Sequence, residues 1–273
     1  MYRGRFAPTP SGDLHLGSIV TAVGSWCDAR FNSGTWQLRI DDLDKSRVKK
    51  SAAQNILFCL NRLGLNWDGP VIYQSARQSS YRNSIKSLTN KNLVFNCCCS
   101  RKTVIEQGKI GIDGYIYSGT CRVKKIPSNK NISLRVIAKD IEIEFNDILL
   151  GNFKQNIYTD IGDFVIARAD RVISYHLACV SDDHEESITH VIRGSDLINS
   201  TSRQIYLGKM LNFQIPNYLH LPVLVNADGS KLSKNNADYP ILNLDPSNTI
   251  WTALKLLGQK PPTAIKEKTT SEI

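Results

Sequence analysis

The stretch Phe6-Ala7-Pro8-Thr9-Pro10-Ser11-Gly12-Asp13-Leu14-His15-Leu16-Gly17-Ser18 decides how this chain reads. A short strand candidate, Arg3 to Ala7, leads into it. Ile19, Val20, Val23, Trp26 and Cys27 follow at helical spacing, so the stretch is a strand-to-helix turn. Gly12 and Gly17 let the backbone come close to a ligand. Leu14 can anchor the loop while His15 points outward. A helix beginning near Gly17 offers free N–H groups and a positive dipole end to phosphate, which marks Ser11, Gly12, His15, Gly17 and Ser18 as candidates for holding one. His15 can donate to a phosphate oxygen as charge builds there. Taken alone, the turn reads equally well as a plain joint with an exposed histidine, because short phosphate-loop patterns are weak signals.

A second segment, Lys231-Leu232-Ser233-Lys234-Asn235, changes that balance. It follows the turn-forming run Asn226 to Ser230, which puts Lys231 and Lys234 on a surface loop. Paired lysines on a loop are ordinarily solvated charges. Together with the first turn they suit the holding of a nucleoside triphosphate and the stabilisation of charge as its α-phosphate is attacked.

Outward from the first turn the pattern alternates. Trp36, Leu38 and Ile40 read as a strand ending at an acidic cluster; Ile56, Leu57, Leu60 and Leu63 read as a helix stopped by Gly64; Tyr81 to Leu88 is again helical. This βαβα order predicts an α/β fold, a Rossmann-like doubly wound parallel sheet. Residues 97–122 hold most of the cysteines and look like an insertion. Ile132, Leu134 and Val136 alternate, as do Ile141, Ile143 and Phe145, which suggests hairpin strands. The parallel pattern resumes near Tyr175 to Val180, with a strand at Thr189 to Ile192, a helix near Arg203 to Leu211 and a last strand at His220 to Val225. Pro246 and Ser247 open a final helix with Ile250, Leu254 and Leu257 on one face and Gly258 as its stop. The tail after Pro261 is polar and expected to fray. The expected organisation is a first half of the Rossmann-like domain (1–95), an insertion (96–170) with a cysteine-rich segment (97–122), a second half with the lysine loop (171–236), and a short helical C-terminal part (237–273).

The chain has 273 residues, 41% of them apolar and 22% charged, enough for a buried core in one sizeable domain or two small ones. Net charge of +9 favours a polyanionic partner such as nucleic acid, although solubility alone accounts for it equally well. No apolar run is long enough to span a membrane, and Met1 to Arg5 lacks the apolar core of a secretory signal. Seven cysteines, an odd number with Cys97-Cys98-Cys99 in a row, argue for a reducing compartment and against a disulfide framework. A cytoplasmic monomer is expected.

Pro-Ser-Gly-x-Leu-His-x-Gly near the N-terminus and Lys-Leu-Ser-Lys downstream resemble the two nucleotide-binding motifs of class I aminoacyl-tRNA synthetases. Arg5 to Gly12, Leu38-Arg39-Ile40-Asp41-Asp42-Leu43-Asp44 and Thr189-His190-Val191-Ile192-Arg193-Gly194 resemble the glutamyl branch. The resemblance runs to about residue 258. Only 39 residues follow Lys234, fewer than a separate anticodon-reading domain needs, so the chain looks like the glutamyl-queuosine branch, which consists of the catalytic domain alone. That resemblance implies tRNA-independent activation of L-glutamate with ATP and Mg²⁺, then transfer to the queuosine base of tRNA(Asp). Two alternatives stay open: charging of a tRNA 3′ end, and a non-catalytic RNA-binding paralogue.

The same resemblance implies the site. Arg5 and Arg193 would take the carboxylates of glutamate, and planar guanidinium groups suit that pairing. Asp41 would receive the ammonium, Tyr175 would wall the pocket, and Phe6, Ala7, Pro8 and Thr9 would complete its surface. Lys234, with Lys231, would close over the ATP phosphates beside His15. The family usually carries Glu where this chain has Asp41, one methylene shorter; His176 stands where an amide is common. Cys97-x-Cys99-Ser100-Arg101 and Tyr117-Ser118-Gly119-Thr120-Cys121-Arg122 resemble the family's zinc-binding insertion. That implies one structural Zn²⁺ held by Cys97, Cys99, Tyr117 and Cys121. The other reading of these residues is a buried cluster of free thiols.

Overall fold

The computed structural model describes residues 1–124, 126, 130–224, 245–269 and 272. The lysine loop, with Lys231 and Lys234, lies outside the described residues. In chain order the elements begin β1 (Arg3–Phe6), α1 (Leu16–Phe31), β2 (Thr35–Ile40), α2 (Ala52–Arg62), β3 (Ile72–Tyr73), α3 (Gln78–Asn90), β4 (Val94–Cys97), α4 (Arg101–Gln107), β5 (Lys109–Gly111) and β6 (Gly114–Ile116). They continue β7 (Ser133–Val136), β8 (Glu142–Asp147), β9 (Gly151–Asn156), β10 (Val165–Ala167), α5 (Tyr175–Glu185), β11 (His190–Gly194), α6 (Ile198–Leu211), β12 (Asn217–Leu221) and α7 (Pro246–Leu256). Two compact units result: residues 1–75, 188–196 and 216–273 form the first, and 76–187 with 197–215 form the second.

The first unit carries the parallel strands. β1 pairs with β2 and β2 with β3, while β11 pairs with β12, all parallel. β11 runs beside β1: Thr189 N–H donates to Arg3 C=O at 2.9 Å, and Arg3 N–H donates to Thr189 Oγ1 at 2.8 Å. The strand order is therefore β3-β2-β1-β11-β12, with the direction of winding reversing between β1 and β11. Open α/β sheets bind ligands at such a switch point, beyond the carboxyl ends of the strands. Trp36, Leu38 and Ile40 are fully buried and meet Ile19, Val23, Ile56, Leu60 and Ile250 from α1, α2 and α7 in one core. Burying a side chain of this size contributes about 1.5–3 kcal/mol. Gly24 lets α1 approach closely, since a Cβ there would lie 3.0 Å from Leu221 and 3.3 Å from Leu257.

The second unit packs α3, α5 and α6 around a fully buried Asp182, which receives Tyr81 Oη at 3.0 Å and Arg77 Nε at 2.7 Å. Three expectations change here and at the C-terminus. The run Ile132 to Val136 does not form a hairpin with Ile141 to Phe145: β7 pairs antiparallel with β4 and β10, and β8 instead forms a hairpin with β9. Both runs alternate, and alternation does not name a partner. The segment Tyr175 to Val180, where the pattern resumes, begins helix α5, capped by Ser174 Oγ accepting from Leu177 N–H at 3.4 Å. The tail past Pro261 forms a tight helical turn, Thr263–Glu267, held because Trp251 Nε1 donates to Pro261 C=O and Lys266 lies over the Trp251 ring.

Candidate active site

Every described residue expected at the glutamate and phosphate sites, except Tyr175, lies in the first unit. β1 ends in Arg5 and Phe6, both buried, and runs into the turn at Ala7. Asp41 N–H donates to Pro8 C=O at 3.0 Å, so the acid after β2 sits against the turn after β1. Ser11 N–H donates to Thr9 C=O and Lys49 N–H to Pro10 C=O, which fixes the Pro8–Ser11 path without regular structure. Gly12 has φ of 147°, a conformation open to glycine, and Leu14 is buried as the loop's anchor.

His15 is the N-cap of α1. Its Nδ1 accepts from Ser18 N–H at 3.3 Å, and Nε2 lies 3.1 Å from Ser18 Oγ. With Nδ1 accepting, Nε2 carries the ring proton. A Cβ on Gly17 would stand 3.1 Å from His15 Cε1, so Gly17 gives the ring its place. The first turn of α1 contains no acid, which leaves the helix's positive end to an anion. His15, Gly17, Ser18 and Thr21 line a cleft of about 180 Å³, closed by Gly194, Asp196 and Pro222 to Leu224 beyond β11 and β12.

Arg193, at the carboxyl end of β11, is buried. Its Nε donates to His220 Nε2 at 3.0 Å, and its guanidinium lies 5.3 Å from the centre of the Tyr218 ring. An imidazole that accepts at Nε2 is neutral, so this contact orients the guanidinium without cancelling its charge. Asp41 is buried and paired with Arg39, Nε to Oδ1 at 2.9 Å, and Arg39 is fully buried. Asp42 is occupied differently: its two oxygens accept from Ser75 N–H at 2.7 Å and Ser75 Oγ at 2.6 Å. Arg39, His220 and Asp196 were not singled out from the sequence. The signal for Arg39 was available, since residues two apart on a strand share a face and Asp41 is two residues on. Tyr175 belongs to the second unit, where it opens α5, partly exposed, against the ring of His176.

The cysteine cluster that could hold a metal ion lies in the second unit. Sγ of Cys97, Cys99 and Cys121 all fall within 4.8 Å of one another, and Cys99 Sγ is 3.5 Å from Cys121 Sγ. Tyr117 Oη is 3.4 Å from Cys99 Sγ and accepts Cys121 N–H at 2.8 Å. Tetrahedral zinc with Zn–S near 2.3 Å needs sulfurs about 3.8 Å apart, so the three thiols fit a metal ion. The Arg135 guanidinium sits 4.2 Å from the Tyr117 ring centre and favours negative charge there. Burial raises the Tyr117 hydroxyl and pushes the Cys99 thiol up to about 11, whereas Cys121, despite burial, is lowered to about 7 by hydrogen bonds from Tyr117 and the neighbouring cysteines. Cys98 is partly exposed beside the cluster.

A parallel sheet with its switch point between β1 and β11, and a glycine-rich turn capped by histidine, define a class I tRNA synthetase catalytic domain. The family described as tRNA synthetases class I (E and Q), catalytic domain, matches residues 1–249, and the chain belongs to it. Within it, the chain groups with proteins named Glutamyl-Q tRNA(Asp) synthetase. The one from Aromatoleum aromaticum is 43% identical over 97% of this chain and 84% of its own length. The one from Neisseria meningitidis serogroup C is 45% identical over 90% of this chain and 84% of its own length. A solved glutamate tRNA ligase from Elizabethkingia meningosepticum, in complex with its amino acid, superposes with a TM-score of 0.76 at 28% identity, covering 87% of this chain. This chain spans 52% of that ligase. Among the described residues no helix is long and apolar enough to cross a membrane.

Proposed function

We propose that this chain activates L-glutamate with ATP and then transfers it to the queuosine base in the anticodon loop of tRNA(Asp). The observation that carries this reading is the set of buried charges at the carboxyl ends of β1, β2 and β11. Arg5, Arg193 and Asp41 stand there beside a helix start that suits phosphate. A substrate with two carboxylates and one ammonium complements two guanidiniums and one acid. The relatives of 43–45% identity support the choice of queuosine as acceptor.

In this reading Arg5 and Arg193 orient the carboxylates, and Asp41, fixed by Arg39, receives the ammonium. The glutamate α-carboxylate attacks the α-phosphorus of ATP in line and pyrophosphate leaves. His15 Nε2–H and the N–H groups of α1 stabilise the charge that develops on the phosphate, and Lys231 and Lys234 add to it. A hydroxyl of the modified base then attacks the activated carbonyl and releases AMP. Catalysis is positioning and electrostatics, so no protein nucleophile is required. Mg²⁺ bound with ATP would supply charge neutralisation at the phosphates. Zinc on Cys97, Cys99, Cys121 and Tyr117 would brace the insertion, a structural role in a cytoplasmic enzyme. The test is twofold. Glutamate-dependent ATP–pyrophosphate exchange should proceed without tRNA, and labelled glutamate should pass to tRNA(Asp) only when queuosine is present. Exchange that requires tRNA, or transfer indifferent to queuosine, refutes the proposal.

A further inference from the structure

The second unit contains a larger cavity, of about 560 Å³, that borders the proposed zinc site at Tyr117 and that the proposed glutamate and ATP chemistry does not use. Its size falls in the range of sites that hold a small molecule or one nucleotide. Lys109, Tyr117, Arg122, Tyr158, Thr159 and Asp163 line it. Its two walls are the cysteine-bearing segment 97–122 with Val123 and the wide helical turn Ile157–Ile161 with Gly162 and Asp163. The walls are locked together by glycines: a Cβ on Gly111 would stand 2.7 Å from Asp160 C=O, and one on Gly162, at φ of 71°, would stand 2.6 Å from Ile116 Cγ2. Asn156 Oδ1 caps the turn by accepting from Tyr158 N–H at 2.9 Å and Thr159 N–H at 3.0 Å. The cavity is therefore preformed.

Its chemistry is selective. Arg122 is fixed by Asp163, with Nε donating to Oδ2 at 2.7 Å, and by Ala138 C=O at 3.1 Å, so the acid in the cavity is already neutralised. The Arg122 guanidinium lies 5.8 Å from the centre of the Tyr158 ring, on one face of it, and Tyr158 is 50% exposed. Lys109 is exposed, with no ion-pair partner among the described residues. A fixed guanidinium plane, an exposed aromatic ring and an uncompensated ammonium around one hollow suit a planar heterocycle with an attached phosphate. The surrounding surface extends that preference. Between positions 97 and 124 the sequence carries Arg101, Lys102, Lys109, Arg122 and Lys124 against Glu106 and Asp113. Both acids are engaged, Glu106 by Lys102 and Asp113 by Arg203. Flanking cations of this kind fit a polyanion better than a free nucleotide.

We infer that this cavity is a nucleotide-binding subsite for a single-stranded residue of the RNA substrate: its base stacks on Tyr158 beside Arg122, and its phosphate meets Lys109. The inference rests on the proposed RNA-directed activity but assigns a contact separate from the reacting site. It is tested with the full chain and the queuosine-containing anticodon stem-loop of tRNA(Asp), by measuring binding and, separately, glutamate-dependent pyrophosphate exchange without RNA. Tyr158→Ala should weaken RNA binding about tenfold, as loss of one base stack does, and Tyr158→Phe should restore it. Lys109→Ala should weaken binding and lower the salt dependence by about one phosphate contact. Exchange should be unchanged in all three variants. Wild-type affinity in Tyr158→Ala and Lys109→Ala, with exchange intact, overturns the subsite alone. A wild-type chain that forms the adenylate but binds no tRNA(Asp) overturns both the subsite and the activity on which it rests.

Discussion

Replacing Arg39 by methionine tests how the acid of the proposed glutamate site is held. The Arg39 and Asp41 side chains are 0% and 7% exposed, and Nε–Oδ1 is 2.9 Å, so water screens the pair little. Removing one partner of such a pair takes the main counter-charge from the other in the interior, at a cost of about 3–5 kcal/mol. At about 2–4 °C per kcal/mol for a chain approaching this size, the melting temperature should fall by roughly 6–20 °C. An exposed pair gives the contrast: Lys154 lies 2.8 Å from Glu142, with both side chains at least half exposed, and Lys154→Met should cost no more than about 1 kcal/mol. The second half of the cycle isolates the charge. Asp41→Asn combined with Arg39→Met removes the buried carboxylate as well and should recover a good part of the lost stability, while pyrophosphate exchange stays low because the ammonium has lost its counter-charge. Thermal unfolding followed by circular dichroism reads stability, and exchange at varied glutamate reads binding. An Arg39→Met chain that melts within about 2 °C of wild type would show that the pair contributes no more than an exposed one.

Other outcomes follow from single contacts. His15→Ala should lower the exchange rate about a hundredfold with little change in glutamate KM, since the ring donates to charge present chiefly in the transition state; a normal rate removes His15 from catalysis. Lys234→Ala should slow adenylate formation by orders of magnitude with glutamate binding kept, which single-turnover measurement of the adenylate can check. Metal analysis of chain purified without chelator should give about one zinc per chain, and Cys121→Ser should lose it together with several degrees of melting temperature. Gly162→Ala, at φ of 71° and against Ile116, should cost about 1–3 kcal/mol in denaturant unfolding.

Much of this was legible in the sequence where a residue type answers to one demand. The turn from Phe6 to Ser18 combined glycines, a proline-rich entry and a helical period, and it folds as a strand, loop and capped helix. Gly64 and Gly258 end helical segments with φ of 70° and 77°, as terminal glycines do. Cys97, Cys99 and Cys121 gather as the family resemblance implied. What the sequence left open depends on contacts distant along the chain. Alternation at Ile132 to Val136 points to one buried face, yet the partner strands β4 and β10 lie about forty residues before and about thirty residues after it. The cavity beside Tyr158 has walls from the cysteine-bearing segment and from a turn some forty residues further on that carries no motif, so no local pattern announces it.

Arg39 shows why a charged residue can hide in plain sight. Trp36, Leu38 and Ile40 read as the inward face of a strand, which assigns Gln37, Arg39 and Asp41 to the outward face and, by habit, to water. That inference holds for a strand with one face solvated. β2 sits between β1 and β3, and its second face is not given to solvent: Gln37 is half-buried, Asp41 buried and Arg39 fully buried. A charge on its second face must then be paired, and period two brings Arg39 and Asp41 to that face together. The pairing also bears on the shorter acid. A glutamate could reach one methylene further toward an ammonium, but a carboxylate held by a buried guanidinium has already lost its rotamer freedom, and its position costs the substrate little further ordering. Reach and fixation are therefore alternative ways to present one negative charge at the end of β2, and in the proposed site Asp41 works by fixation.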